Sequence, residues 1–212
     1  TLAAAYKPPI HAAGDCNMPG LAITSDGPNG GTTFNDLSVQ DHTISTGGTV
    51  HHDSGGSVSL KMAGKGFGSG TDAAYNAVAI NFDGDSDYLT APNHADFRLM
   101  PSMTIEAWTY PTAVNADYMI MNQAGDGGSE LPGWNLRFQS GGNIYYSQIN
   151  SQGGTLISLI GSHGMAAATW HHVAVSRDGT TIRMFVDGKE IASSTLEGFL
   201  YNTPNPQADN TL

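Results

Sequence analysis

The sequence predicts an all-β, two-sheet antiparallel sandwich. Three observations carry that expectation: apolar and polar residues alternate along several short runs, Asp-Gly turns separate some of those runs, and no stretch sustains a helical period. The chain has 212 residues, which an all-β sandwich can use as one domain. Only 13% of them are charged, while 27 are glycine, a composition that favours many tight turns over exposed helix faces.

The alternation is clearest at Met103–Tyr110, where Met103, Ile105 and Ala107 share one face and Glu106, Trp108 and Tyr110 the other. A second alternating run is Val78–Phe82. Further strands are expected at Tyr118–Met121, Trp134–Gln139, Ile144–Ile149, Leu156–Ile160, Trp170–Arg177, Thr181–Val186 and Glu190–Ser194. Asp178-Gly179 and Asp187-Gly188 each stand between alternating runs. Both are expected to form type I′ turns and to tie residues 170–195 into a three-stranded meander. Many half-buried strands cover each other most simply as two packed sheets.

Residues 1–20 show neither period and carry Lys7-Pro8-Pro9 and Pro19-Gly20. They read as an extended arm ahead of a sandwich spanning 21–212, either a frayed terminus or an attachment segment. The opening residues lack a basic stretch followed by an apolar one, so they do not read as a secretory signal. No apolar run approaches the roughly 20 residues that span a bilayer, so no membrane insertion is expected. Cys16 is the single cysteine, which excludes an intrachain disulfide, and it reads as an incidental thiol. The net charge of −11 disfavours nucleic acid and anionic membranes as partners and leaves neutral glycans and cations open.

The segment Thr169-Trp-His-His-Val-Ala-Val-Ser-Arg-Asp-Gly-Thr-Thr-Ile-Arg-Met-Phe-Val-Asp-Gly-Lys-Glu-Ile-Ala192 resembles the laminin-G-like branch of the concanavalin A-like lectin/glucanase superfamily. So does Ala79-Ile-Asn-Phe-Asp-Gly-Asp-Ser-Asp-Tyr-Leu89 followed by Met103-Thr-Ile-Glu-Ala-Trp108. Gly30–Ser38 leading to His42-Thr-Ile44 looks like the family's opening strand and loop. The particular version resembles modules encoded in bacteriophage structural proteins. The resemblance implies a jelly-roll sandwich whose closing strand, which in the family carries an acidic pair, is missing here. It also implies a non-enzymatic surface binding or adhesion module for carbohydrate or protein. On this reading the protein works on a virion surface, among other virion proteins and in several copies; an extracellular site is the alternative. A self-assembling structural subunit, a secreted bacterial lectin and a glycoside hydrolase are the competing functions.

A hydrolase needs two carboxylates flanking the scissile bond. Glu106 has no acidic partner two or four residues along its strand, and Glu130, Glu190 and Glu197 stand in turn or hairpin contexts, so no catalytic residue is assigned. Asp83, Asp85 and Asp87 alternate like a calcium loop. Tyr88 and His94, however, occupy the positions where an EF-hand needs Gly and Glu, so a β-turn is expected. From the resemblance, Asp36, and less securely Asp41, would hold a structural calcium; an Asx-turn is the equal alternative. His51-His52 and His171-His172 are neighbours whose side chains point to opposite faces of a strand, so structural roles are expected. Trp108, Tyr110, Trp134, Tyr145, Tyr146 and Tyr201 are candidate stacking platforms, with one of Tyr145 and Tyr146 facing outward.

Overall fold

The computed structural model describes residues 20–53 except 24, 26 and 39, residues 79–94, 97, 102–123, 133–149 and 154–195, and the backbone of 209–211. Every regular element of any length among them is a β-strand. No helix of the described residues is long and apolar enough to cross a membrane. The chain divides into two compact units, Thr1–Ala91 and Pro92–Leu212. The N-terminal arm expected at 1–20 lies outside the described residues, except Gly20.

In the first unit, β1 (Ser45–Gly47) pairs antiparallel with β4 (Tyr88–Pro92), and β2 (His51–Asp53) pairs with β3 (Ala79–Asn81). Of the opening strand and loop expected at Gly30–Ser38 leading to His42–Ile44, no strand ladder forms among the described residues. Ile23 makes an isolated bridge to Asp36, and the described residues from Gly27 to Asn35 are turn and loop. The reason lies in the Asp36 carboxylate, described below, which draws the backbone around itself instead of leaving it free for a ladder.

The second unit is a two-sheet sandwich. One sheet orders β13 (Asp209–Thr211), β6 (Tyr118–Gln123), β7 (Gly133–Gln139), β8 (Asn143–Ile149) and β9 (Thr155–Ser162). The other orders β12 (Lys189–Thr195), β11 (Thr181–Val186), β10 (His171–Asp178) and β5 (Ser102–Thr109). Leu136, Phe138, Ile144, Tyr146 and Leu159 from the first sheet meet Val173, Val175, Ile182, Met184 and Val186 from the second in one buried core. Met103 and Ile105 pack on that core, as the alternation of β5 requires, and Glu106 and Trp108 face away. At Gly161 a Cβ would lie 2.8 Å from the Ile191 carbonyl oxygen, so only glycine lets β9 approach β12 this closely. A bulge between Met119 and Met121 brings Met119 and Asn122, three residues apart, to the same outer face.

One expectation about the turns needs correction. The meander β10–β11–β12 forms, but its turns differ. Asp187 (φ 51°) and Gly188 (φ 76°) are both left-handed between the paired residues Val186 and Lys189, as a type I′ turn demands. At the other turn Asp178 pairs with Thr181, and Gly179 (φ 59°) is the residue with positive φ, which is the type II′ pattern. A one-residue difference in register moved Asp178 from the turn into the ladder. Near the end of the sequence, β13 pairs antiparallel with β6, Asn210 opposite Gln123 and Thr211 opposite Asn122.

Candidate functional site: the outer face of the four-stranded sheet

Register and alternation together build this face. Across β5 and β10, Trp108 stands opposite His172 and Glu106 opposite Ala174. Across β11 and β12 the Glu106 row continues through Phe185 to Glu190. Trp108 is 57% exposed, far more than core packing would allow, and its ring lies 5.2 Å from the His172 ring. Glu106, with 62% of its side chain exposed, places Oε2 3.5 Å from His172 Nε2. Just beyond the strand, Tyr110 (44% exposed) leans against Trp170, ring centroids 5.5 Å apart. The result is an aromatic ledge with an acid and an imidazole at its edge. An exposed aromatic face beside directional polar groups suits a ligand with one apolar side and a rim of hydroxyls.

His172 is set in place by the turn next to it. Asp187 Oδ1 accepts the His172 backbone N–H at 2.9 Å, and the Asp187 N–H donates to the His172 carbonyl at 2.9 Å. The other carboxylate oxygen, Oδ2, receives Nδ1–H of His171 at 2.7 Å. His171 Nε2 lies 3.2 Å from both the N–H and the carbonyl of Ala166, and can accept from the one or donate to the other. Burial pushes the Asp187 carboxyl up, but hydrogen bonds from His171 and His172, with their charge, hold it below the usual carboxylate range. His171 is buried and His172 partly exposed, as their opposite orientations require. His51 and His52 divide in the same way. His52 is buried 2.9 Å from the Thr33 carbonyl and 4.4 Å from the Phe34 ring.

Glu106 and Glu190 are too far apart to act as a catalytic pair. Strands lie about 4.8 Å apart, so Glu106 and Glu190, three strands apart in one row, are separated by roughly 14 Å at the backbone. Paired glycosidase carboxylates stand about 5–9.5 Å apart. Glu190 also turns to Arg183, 3.5 Å away. Glu130 and Glu197 lie outside the described residues, as do Cys16 and Tyr201.

Asp36 is the hub of its loop. Oδ1 accepts the N–H of Ala22 (2.9 Å) and of Ser38 (2.8 Å). Oδ2 accepts Ser38 Oγ–H (2.6 Å), His42 N–H (3.0 Å) and His42 Nδ1–H (2.7 Å). Burial raises its pKa, but these donors outweigh that and bring it to about 2. The Ser38 contact is the Asx-turn geometry. Calcium takes six to eight oxygens, and both oxygens of Asp36 are already engaged by protein donors. Asp41 is exposed in a left-handed conformation (φ 49°). No group of three or more potential His, Cys, Asp or Glu metal ligands forms among the described residues. Asp83 and Asp87 shape a turn instead. Asp87 Oδ2 accepts the Asp83 N–H (2.8 Å), Oδ1 accepts the Thr49 N–H, and Asp83 Oδ1 accepts the Asp85 N–H (2.7 Å).

Of the other aromatic candidates, Tyr146 is fully buried, its hydroxyl accepting Gln148 Nε2–H at 2.7 Å, and burial raises its pKa. Tyr145 faces outward beneath the Arg137 guanidinium, and Trp134 packs on the core. The sequence reading missed two features. One is the part played by Asp187 beyond its turn. The other is a set of polar residues beside Tyr145; Asn122, Asn135 and Arg137 at alternate strand positions were the signal for it.

Residues 83–211, more than half of the chain, match the Laminin_G_3 family model, described as Concanavalin A-like lectin/glucanases superfamily. No curated protein matches the sequence. Among solved structures, the botulinum neurotoxin serotype D binding domain superposes with a TM-score of 0.62 at 11% identity, covering 91% of this chain and 43% of that one. The serotype C1 binding domain gives 0.57 at 12%, covering 91% and 42%. A CBM40 of Ruminococcus gnavus IT-sialidase, bound to α2,3 sialyllactose, gives 0.45 at 17%, covering 53% and 64%. This chain thus spans less than two thirds of each of those chains, and the likeness to the two neurotoxin domains is one of fold alone. The family match over β4–β13 and the sandwich just described agree: the chain belongs to the laminin-G-like family of the concanavalin A-like lectin/glucanases superfamily.

Proposed function

We propose that the protein is a non-catalytic binding module that recognises carbohydrate on a cell surface through the outer face of the β12–β11–β10–β5 sheet. The observation that carries this reading is Trp108, more than half exposed on a regular strand and flanked by His172 and Glu106. A large indole kept in water by a rigid sheet is costly unless something covers it, and a sugar ring fits an aromatic face bordered by hydrogen-bonding groups. The wide separation of Glu106 and Glu190 supports binding over hydrolysis.

The finer reading places the module on a virion, in a fibre, tail or capsid decoration, in several copies and beside other virion proteins. It is supported by the resemblance of this version of the domain to modules encoded in bacteriophage structural proteins and by the strongly acidic net charge, which disfavours nucleic acid. A cell-surface protein as ligand and a purely self-assembling role are the competing occupants of the same exposed face.

The test is an immobilised panel of neutral glycans probed with the parent chain and with Trp108→Ala. Binding that disappears in Trp108→Ala, with an unchanged melting temperature, supports the reading. No bound glycan together with a stable oligomer in solution would point to assembly instead. Mass spectrometry of the native particle or secreted fraction tests the virion placement.

A further inference from the structure

One nitrogen of His171 meets two partners on a single residue. Nδ1–H points at Asp187 Oδ2, 2.7 Å away, while Nε2 lies 3.2 Å from both the N–H and the carbonyl oxygen of Ala166. A neutral ring with its hydrogen on Nδ1 has a lone pair at Nε2 and accepts the Ala166 N–H. A charged ring carries hydrogen on both nitrogens and donates to the Ala166 carbonyl instead. Taking up a proton therefore exchanges one backbone partner for another while the ring stays anchored on Asp187.

The exchange acts on a segment under strain. Residues His163–Trp170 join β9 to β10 as turn and loop. Met165 pins the segment in the core, and the Ala168 N–H pins it to the Pro111 carbonyl at 2.8 Å. Ala168 holds φ 55°, a left-handed conformation that is unfavourable for a residue with a Cβ. Trp170, whose ring lies 5.5 Å from that of Tyr110, has a covered Nε1–H that donates to nothing among the described residues. Buried donors are nearly always paired, so strain and an orphaned donor on one short segment leave room for a second arrangement of it. Ala166 is exposed, so its N–H can turn to water once the ring lets go.

The charged and titratable neighbours among the described residues are few. The β11–β12 turn supplies Asp187, followed by the exposed Lys189. On β10, His172 faces the other side of the strand, 3.5 Å from Glu106 of β5, and β5 sets the uncharged Thr109 opposite His171. The segment itself adds His163, whose Nδ1 accepts the Met165 N–H at 2.8 Å and whose Nε2–H donates to the Val114 carbonyl at 3.1 Å. A proton on His163 would break the Met165 bond and put nothing in its place. His171 is the ring placed to trade one bond for another.

We propose that His171 is a proton-operated switch, which sets the His163–Trp170 segment in one of two arrangements and so changes how Trp170 rests against Tyr110. The inference holds whether or not the Trp108 face binds glycan.

The experiment follows the full chain, isotopically labelled and without ligand, by NMR from about pH 8 to about pH 5, the span in which imidazoles change charge. His171 Nε2 should lose the shift of a lone-pair nitrogen while Nδ1 keeps its hydrogen. The Ala166 amide and the Trp170 indole N–H should move with the same midpoint. Both movements should vanish in His171→Gln and persist in His172→Gln. The parent's own midpoints decide the question even where a variant does not fold. Ala166 and Trp170 signals that stay fixed while His171 takes up its proton would overturn the switch. So would a midpoint that follows His163 or His172, movements that survive in His171→Gln, or an Nε2 that remains a lone-pair nitrogen throughout.

Discussion

Asp187 holds His171 at 2.7 Å across the mouth of the β11–β12 turn, and with its second oxygen it fixes the backbone of His172. One carboxylate in a left-handed turn residue thereby joins the start of β10 to a hairpin two strands further along the chain. Replacing it by alanine leaves the His172 N–H unpaired and puts a Cβ residue without a side-chain acceptor at φ 51°. The expected loss is about 2–4 kcal/mol. Asp187→Asn keeps an acceptor and tolerates the left-handed backbone, so its loss should be about half as large. Thermal melts of the two variants check the order.

Acid should loosen the loop around Asp36. Its carboxyl has a folded pKa of about 2, below the ordinary 3.8. A depressed folded pKa gives stability that is present above the unfolded value and lost as pH falls through the folded one. The contribution is about 2 kcal/mol, disappearing between roughly pH 4 and 2. Denaturant unfolding across that range should show Asp36→Asn less stable than the parent at neutral pH, with the difference shrinking toward pH 2.

Gly161→Ala forces a methyl group against the Ile191 carbonyl, which is backbone and cannot swing aside. The expected cost is about 1–3 kcal/mol, as for overpacked cores generally. A melting temperature equal to that of the parent would mean that β9 and β12 can move apart.

Trp108→Ala should leave stability within about 0.5 kcal/mol, because the indole is mostly in water. Glycan affinity should drop about tenfold or more, equivalent to roughly 1.4 kcal/mol. Isothermal titration with a glycan found on the panel checks both the affinity and its loss.

Calcium should not change the melting temperature, since Asp36 spends both oxygens on protein donors. Melts with added calcium and with a chelator test this. A calcium-dependent rise that vanishes in Asp36→Asn would establish the structural calcium that the family resemblance implies for Asp36 and Asp41.

Much of the sandwich was readable because its signals are local. The faces of Met103–Thr109 and the Asp187-Gly188 turn follow from alternation and from one dipeptide. What failed depended on partners distant in sequence. Gly30–Ser38 leading to His42–Ile44 resembles the family's opening strand and loop, but the Asp36 carboxylate collects donors from Ala22, Ser38 and His42 and draws this backbone around itself. Asp178-Gly179 looks like its twin at 187–188, and only the Asp178–Thr181 pairing decides which residues form the turn. The Trp108 ledge was half legible. Strand position showed that the indole faces away from Met103 and Ile105, but its pairing with His172 is a matter of register, which no local pattern reveals.

The two short turns of the β10–β11–β12 meander also shape how the chain folds. Each hairpin closes across two residues, whereas seating β5 against β10 brings together Thr109 and His171, 62 positions apart. Loop-closure entropy makes the long connection costlier by about 3 kcal/mol. The meander can zip within microseconds, and docking of β5 becomes the slow step. Until β5 arrives, one edge of β10 is unpaired, so the strand that carries Trp108 also guards the nascent sheet against joining the wrong chain.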